Sequence, residues 1–285
     1  MDVLKIIRDS CKDFQPYTAG KPIETVKREL GLKRIIKMAS NENPLGPSKL
    51  STDAVRKILK DVFYYPDSNS YLLKEALSRK YNLPSENIFV GSGGDELIEI
   101  IAKLFFNPED EIVMSKHTFV RYDMAVKLMG AHSIAAPMKD GFKHDLNGML
   151  KICSRNTKAI VIVNPNNPTG TYITKDEFSE FLQNVPPNMR GVKPLIIADE
   201  AYFEYAAINE DYPNALDFLK DNDNLIIIRT FSKAYGLAGL RVGYGFADKN
   251  IVDFIERIRP PFNVNILAQS AAVAALKDKS QISKS

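Results

Sequence analysis

Lys233 is set among residues that suit anion and aldehyde chemistry. It follows Thr230, Phe231 and Ser232, and the run Gly236-Leu237-Ala238-Gly239-Leu240 leads from it to Arg241, eight positions on. Hydroxyls and a guanidinium can clamp a phosphate, and a lysine held beside them can form a Schiff base with an aldehyde. A solvated surface lysine is the plain alternative, which that setting disfavours.

Three more polar clusters accompany it. Val90-Gly91-Ser92-Gly93-Gly94-Asp95-Glu96 places glycines where a strand would turn into a helix, so backbone N–H groups can face an anion. The same run also fits an ordinary tight turn. It is not a P-loop, because no Gly-Lys-Ser/Thr follows, and its spacing is not that of a dinucleotide fingerprint. Asn164-Pro165-Asn166-Asn167-Pro168-Thr169-Gly170 fixes a loop whose amides can donate inward or merely redirect the chain. Asp199-Glu200-Ala201-Tyr202 ends an apolar run with a carboxylate, which burial makes expensive unless a cation or N–H donors meet it. An acidic helix start answers the same pattern. Together the clusters supply what a pyridine aldehyde phosphate requires: an anion site, a carboxylate for the ring nitrogen, an amide and a phenol for the ring hydroxyl, and an amine for the aldehyde. A protonated ring then acts as the electron sink when a substrate carbon loses its proton.

The elements needed to position these clusters are readable from periodicity. Strands are expected at 87–90, 111–114, 133–136, 159–163, 195–198 and 225–228. Helical patterns run over 51–60, 72–80, 95–105, 119–128, 251–258 and 266–276. Runs such as Ala159-Ile160-Val161-Ile162-Val163 are apolar on both faces, which argues for a mostly parallel α/β sheet covered by helices. Ligands then bind beyond the carboxyl ends of the strands, where all four clusters fall. The first 45 residues read as irregular, residues 243–245 as part of the glycine-rich loop, and residues 277–285 as a polar end with no element of their own.

The balance of 38 basic to 35 acidic residues gives a net charge of only +3 and no basic block, which disfavours nucleic acid as a partner. Apolar runs such as Ala159–Val163 and Leu225–Ile228 fall far short of the ~20 needed to span a membrane. Cys11 and Cys153, with no C-x-x-C, point to a reduced, cytoplasmic compartment. His117, His132 and His144 lack metal-ligand spacing, so no metal is expected.

The stretches 91–96, 164–170, 199–202 and 232–241, in that order, resemble the fold-type I aminotransferases over nearly the whole chain. Ser40-Asn41-Glu42-Asn43-Pro44-Leu45-Gly46-Pro47, with Tyr65-Pro66-Asp67, makes the chain most similar to the histidinol-phosphate aminotransferase branch. The resemblance implies a pyridoxal 5′-phosphate-dependent α/β fold: a mostly parallel seven-stranded sheet with helices on both faces and a small C-terminal domain largely absent. It divides the chain into an N-terminal arm (1–45), a large cofactor-binding domain (46–270) and the start of a shortened small domain (271–285).

By the same resemblance, Lys233 holds the cofactor aldehyde and moves the substrate proton, Asp199 meets the pyridine nitrogen, and Asn167 and Tyr202 meet the phenolic oxygen. Gly94, Asp95, Thr230, Ser232 and Arg241 take the phosphate. Phe119 stacks on the ring, and Tyr17 and Asn43 lie on the substrate side. Tyr65 reaches the phosphate of a neighbouring subunit, which implies a homodimer with shared sites. The chain departs from the family in having His117 where proline is usual, and His117 reads as structural. The implied reaction moves an amino group between histidinol phosphate and 2-oxoglutarate. Alternatives are an aromatic or broad aminotransferase, a decarboxylase of a phosphorylated amino acid, or a non-catalytic remnant of the fold.

Overall fold

Among the described residues nine strands form: β1 (Ile88–Gly91), β2 (Glu111–Ser115), β3 (His132–Ala136), β4 (Met138–Lys139), β5 (Lys143–His144), β6 (Thr157–Val163), β7 (Leu195–Asp199), β8 (Leu225–Thr230) and β9 (Gly243–Phe246). The structure is a computed structural model that describes residues 3–12, 14–18, 20–188 and 191–285. Seven of the strands make one sheet in the order β1-β9-β8-β7-β6-β2-β3, and β4 pairs with β5 in a small hairpin. Only β9 runs against its neighbours; the other adjacent pairs of the large sheet are parallel.

Side-chain alternation explains the unbroken apolar runs. Ile160, Ile162, Ile196 and Ile227 enter one core with Leu73, Leu77 and Phe178, whereas Val161, Val163, Ile197 and Ile228 enter another with Leu97, Ile101 and Val126. Helices Gly93–Phe105, Val120–Met129 and Lys249–Ile258 cover the second face. Helices Tyr71–Tyr81, Lys175–Asn184 and Ile266–Ala275 cover the first. With both faces dry, β6, β7 and β8 have only their carboxyl ends free to offer polar groups to a ligand.

Three expectations need correction. Residues 243–246 form β9, a strand inside the sheet rather than part of a loop. Its glycines are there for close packing: a Cβ on Gly245 would lie 2.3 Å from the Phe89 ring, and one on Gly243 would lie 2.9 Å from the Gly93 carbonyl carbon. The first 45 residues hold a helix, Ile23–Leu30, closed by Gly31 in the left-handed region at φ 64°. The polar end carries a helix, Lys279–Lys284, because the Asp278 carboxylate accepts hydrogen bonds from the N–H groups of Ser280 and Gln281. Helix Ile266–Ala275 is continuous, and its Ala268, Ala271 and Ala272 share one core. Among the described residues, no helix is long and apolar enough to cross a membrane.

Candidate active site

The carboxyl ends of β6, β7 and β8 and the glycine turn after β1 surround one cleft with an empty volume of about 640 Å³. Val163, Ile228 and Ile98 give it an apolar floor. Ten residues read from the sequence line it: Gly94 and Asp95 at the helix start; Phe119 and Asn167 from loops; Asp199 and Tyr202 after β7; and Thr230, Ser232, Lys233 and Arg241. The cleft opens to a mouth of about 1020 Å³ bordered by Tyr17, Ser40, Asn41 and Glu42.

Asp199 is buried at the tip of β7. Its Oδ2 accepts a hydrogen bond from the Tyr122 hydroxyl at 2.9 Å, and its Oδ1 accepts one from the Ala201 N–H at 3.0 Å. Burial pushes its pKa up to about 6, against the pull of those two donors. Lys233 Nζ donates to the Ser40 carbonyl at 3.0 Å and lies 5.4 Å from the centre of the Tyr202 ring. Desolvation holds its pKa below the ordinary lysine range, with Arg241 acting in the same direction and Glu42, Asp199 and Asp95 opposing. Desolvation of this kind favours the neutral amine over the ammonium, and the neutral amine is the form that attacks a carbonyl.

The anion side is built on close backbone approach. Gly93, at φ 81°, lets the helix start come so near Arg241 that a Cβ there would lie 2.4 Å from Nη2. Arg241 is itself left-handed at φ 55°, which turns its guanidinium back to Ser232 Oγ at 3.4 Å and Asp95 Oδ2 at 3.4 Å. Beside Gly94 nothing lies within 4 Å of where a side chain would begin. Thr230 Oγ1 accepts from the Ser232 N–H at 3.0 Å, which fixes the turn before Lys233.

The asparagine loop divides its labour. Asn164 Oδ1 accepts from the Ile173 N–H, and Asn166 donates to the His117 carbonyl and to Thr169 Oγ1, so both hold the loop while Asn167 faces the cleft. Both X-Pro bonds in this loop, Asn164-Pro165 and Asn167-Pro168, are cis. The His117 ring packs edge-on against Phe142, 5.9 Å between centroids.

Comparison with known proteins places this architecture. The family model described as "Aminotransferase class I and II" matches residues 33–285. The chain belongs to the class I and II aminotransferases. Its relatives within them include the histidinol-phosphate aminotransferase of Moorella thermoacetica, 47% identical over 98% of this chain and 70% of that protein. Another is histidinol-phosphate aminotransferase 2 of Carboxydothermus hydrogenoformans, 45% identical over 97% of this chain and 75% of that protein. Among solved structures, histidinol-phosphate aminotransferase from Sinorhizobium meliloti in complex with pyridoxal-5′-phosphate superimposes with a TM-score of 0.85 at 30% identity. That match covers 95% of this chain and 71% of that one.

In this aminotransferase three of the expected residues lie outside the inner cleft. Tyr65 is outside its own chain's cleft, 81% exposed and stacked on Phe262 at 4.7 Å. Tyr17 borders the mouth, not the inner cleft. Asn43 does not border the cleft: its amide donates to the Ala234 carbonyl and to Ser285 Oγ, and its Oδ1 accepts from the Leu45 N–H. The mouth is bordered instead by Asn41, which donates to the Tyr202 hydroxyl at 2.9 Å, and by Glu42. Two residues escaped the sequence reading. Tyr122 reads as one more apolar position of a helix, yet its hydroxyl meets Asp199. Arg121 reads as a solvated charge, yet it pairs with Asp95 and Glu99.

The donor set fits pyridoxal 5′-phosphate. An anion cup at Gly94, Ser232 and Arg241, a buried carboxylate at Asp199 and an amine at Lys233 share one cleft with an apolar floor. Among the described residues no group of His, Cys, Asp and Glu is arranged to hold a metal ion.

Proposed function

We propose that this chain transfers an amino group between L-histidinol phosphate and 2-oxoglutarate, with pyridoxal 5′-phosphate held in the cleft by Lys233, Asp199 and the phosphate cup. The observation that carries the reading is the convergence of a half-buried lysine, a buried carboxylate and an arginine-bearing anion cup in one cleft, in a chain 40–47% identical to proteins named histidinol-phosphate aminotransferase. When bound, the cofactor supplies an aldehyde that captures amines and a protonated ring that draws electrons from the substrate carbon. Asp199 would keep the proton on the ring nitrogen, Asn167 and Tyr202 would hold the phenolic oxygen, and Phe119 would cover the ring face. Lys233 Nζ takes the proton from the substrate carbon and returns it. Glu42 and Tyr17 border the mouth through which the amino donor enters.

Tyr65 fits a role in the neighbouring subunit, because it is exposed beside Phe63 and Tyr64 and does not line its own cleft. That placement supports a homodimer with shared sites. Two free cysteines, Cys11 and Cys153, accord with a reduced cytoplasmic setting. The test is glutamate formation from 2-oxoglutarate with histidinol phosphate as donor, set against phenylalanine and tyrosine at equal concentration. Preference for histidinol phosphate is expected; preference for the aromatic amino acids would move the chain to a different donor class.

A further inference from the structure

The phosphate cup contains a charge of the wrong sign. Asp95 lies in the first helical turn, where its backbone N–H serves an anion, but its carboxylate shares the cleft with the site proposed for phosphate. The neighbouring carboxylate is already employed: Glu96 Oε2 accepts from the Ser92 N–H and from Asn263 Nδ2, both at 2.6 Å. Asp95 Oδ2 draws on Arg241 at 3.4 Å, the cation meant for the phosphate. A second cation takes its other oxygen. Arg121 donates from Nε to Asp95 Oδ1 at 3.2 Å and from Nη2 to Glu99 Oε1 at 3.0 Å, and its side chain is only 20% exposed.

We infer that Arg121 is a positioning residue for the phosphate site: by sharing the Asp95 carboxylate, it weakens that carboxylate's hold on Arg241 and offsets its repulsion of the cofactor phosphate. The inference rests on the cofactor assignment above and deepens it. Asp95 and Asp199 line the cleft with Lys233 and Arg241, so its own charges balance before any phosphate enters. A dianion entering without Arg121 would leave an excess of negative charge, and opposite charges at hydrogen-bond distance in a partly desolvated setting are the effective remedy. The competing role is mechanical, because Arg121 also ties helix Val120–Met129 to helix Gly93–Phe105. A strut would support every ligand of the cleft alike, whereas a charge neutraliser acts on the phosphate alone.

The ratio of pyridoxal 5′-phosphate affinity to pyridoxal affinity therefore separates them, measured by equilibrium dialysis on the full chain freed of cofactor. Arg121→Gln is expected to lower that ratio roughly tenfold, the equivalent of about 1.4 kcal/mol, with Arg121→Lys recovering part of it. Asp95→Asn in the Arg121→Gln background is expected to restore the ratio, because the repelling charge is gone. Asp95→Asn alone, a mild change that keeps the backbone donor, is expected to keep or raise it. Equal loss of both affinities in Arg121→Gln, no restoration in the double variant, or a lowered ratio in Asp95→Asn alone would each overturn the inference. A wild-type protein that binds pyridoxal as tightly as its phosphate would instead remove the phosphate cup itself, and the inference with it.

Discussion

Asp199 carries the sharpest conflict between stability and function. A carboxylate whose folded pKa is raised from 3.8 to about 6 favours folding most when protonated, so that contribution is present below about pH 4 and is lost as pH rises through 6. Asp199→Asn lacks this titration. The cofactor-free variant is expected to be more stable than wild type at pH 8, by on the order of 1–3 kcal/mol, with the gap closing toward pH 4; urea unfolding at the two pH values reads it. The same variant should lose most transaminase activity, since an amide cannot hold the charge opposite a protonated ring. Tyr122 bears on the same atom. Without its hydroxyl, Asp199 loses a donor that favours the carboxylate, so Tyr122→Phe should move the acid limb of cofactor affinity to higher pH. An unmoved limb would deny Tyr122 that part. Lys233, Asp199, Asn167 and Arg241 were legible as one chemical set because each follows a strand or turn whose pattern is plain. Tyr122 was not, since an aromatic at a helical core spacing looks the same whether or not its hydroxyl has a partner.

The elements hold these residues through a polar pair that faces away from the cleft. Glu200 and Arg229 sit next to Asp199 and Ile228, on the opposite side of β7 and β8, because strand side chains alternate. Arg229 donates twice to Glu200 Oε2, at 2.9 and 2.7 Å, and once to Asn214 Oδ1, and its guanidinium lies 3.4 Å from the Phe203 ring centroid. The tips of both strands are thereby tied together. Glu200→Gln leaves a buried cation without its counter-charge and should destabilise the fold by about 3 kcal/mol or more, measured by denaturant unfolding; a change below about 0.5 kcal/mol would show the pair to be dispensable. Six of the seven strands in the main sheet were readable, since an apolar run of four or five residues has few other uses in a chain of this composition. β9 was not, because Gly243 and Gly245 look like loop residues when the demand they answer, contact with Phe89 and Gly93, comes from distant sequence. The Ile23–Leu30 helix was missed for the opposite reason: it buries no residue, so its start after Pro22 and its stop at Gly31 had no core pattern to support them.

At the scale of the whole molecule, the exposed aromatics Phe63, Tyr64, Tyr65 and Phe262 belong with the proposed dimer. Phe63→Asp is expected to shift the protein toward monomer in analytical ultracentrifugation and to weaken cofactor retention as it does so. Tyr65→Phe should leave the assembly intact yet weaken cofactor binding several-fold, the scale of one lost phosphate hydrogen bond. Retention independent of both changes would mean that the cleft is complete within one chain. The chemistry proposed for the cleft depends above all on Lys233. Borohydride reduction of the protein loaded with pyridoxal 5′-phosphate, followed by peptide mass mapping, reads that claim directly. The expected result is one phosphopyridoxyl group fixed on Lys233 and none after Lys233→Ala; label scattered over exposed lysines, with Lys233 unmodified, would contradict it.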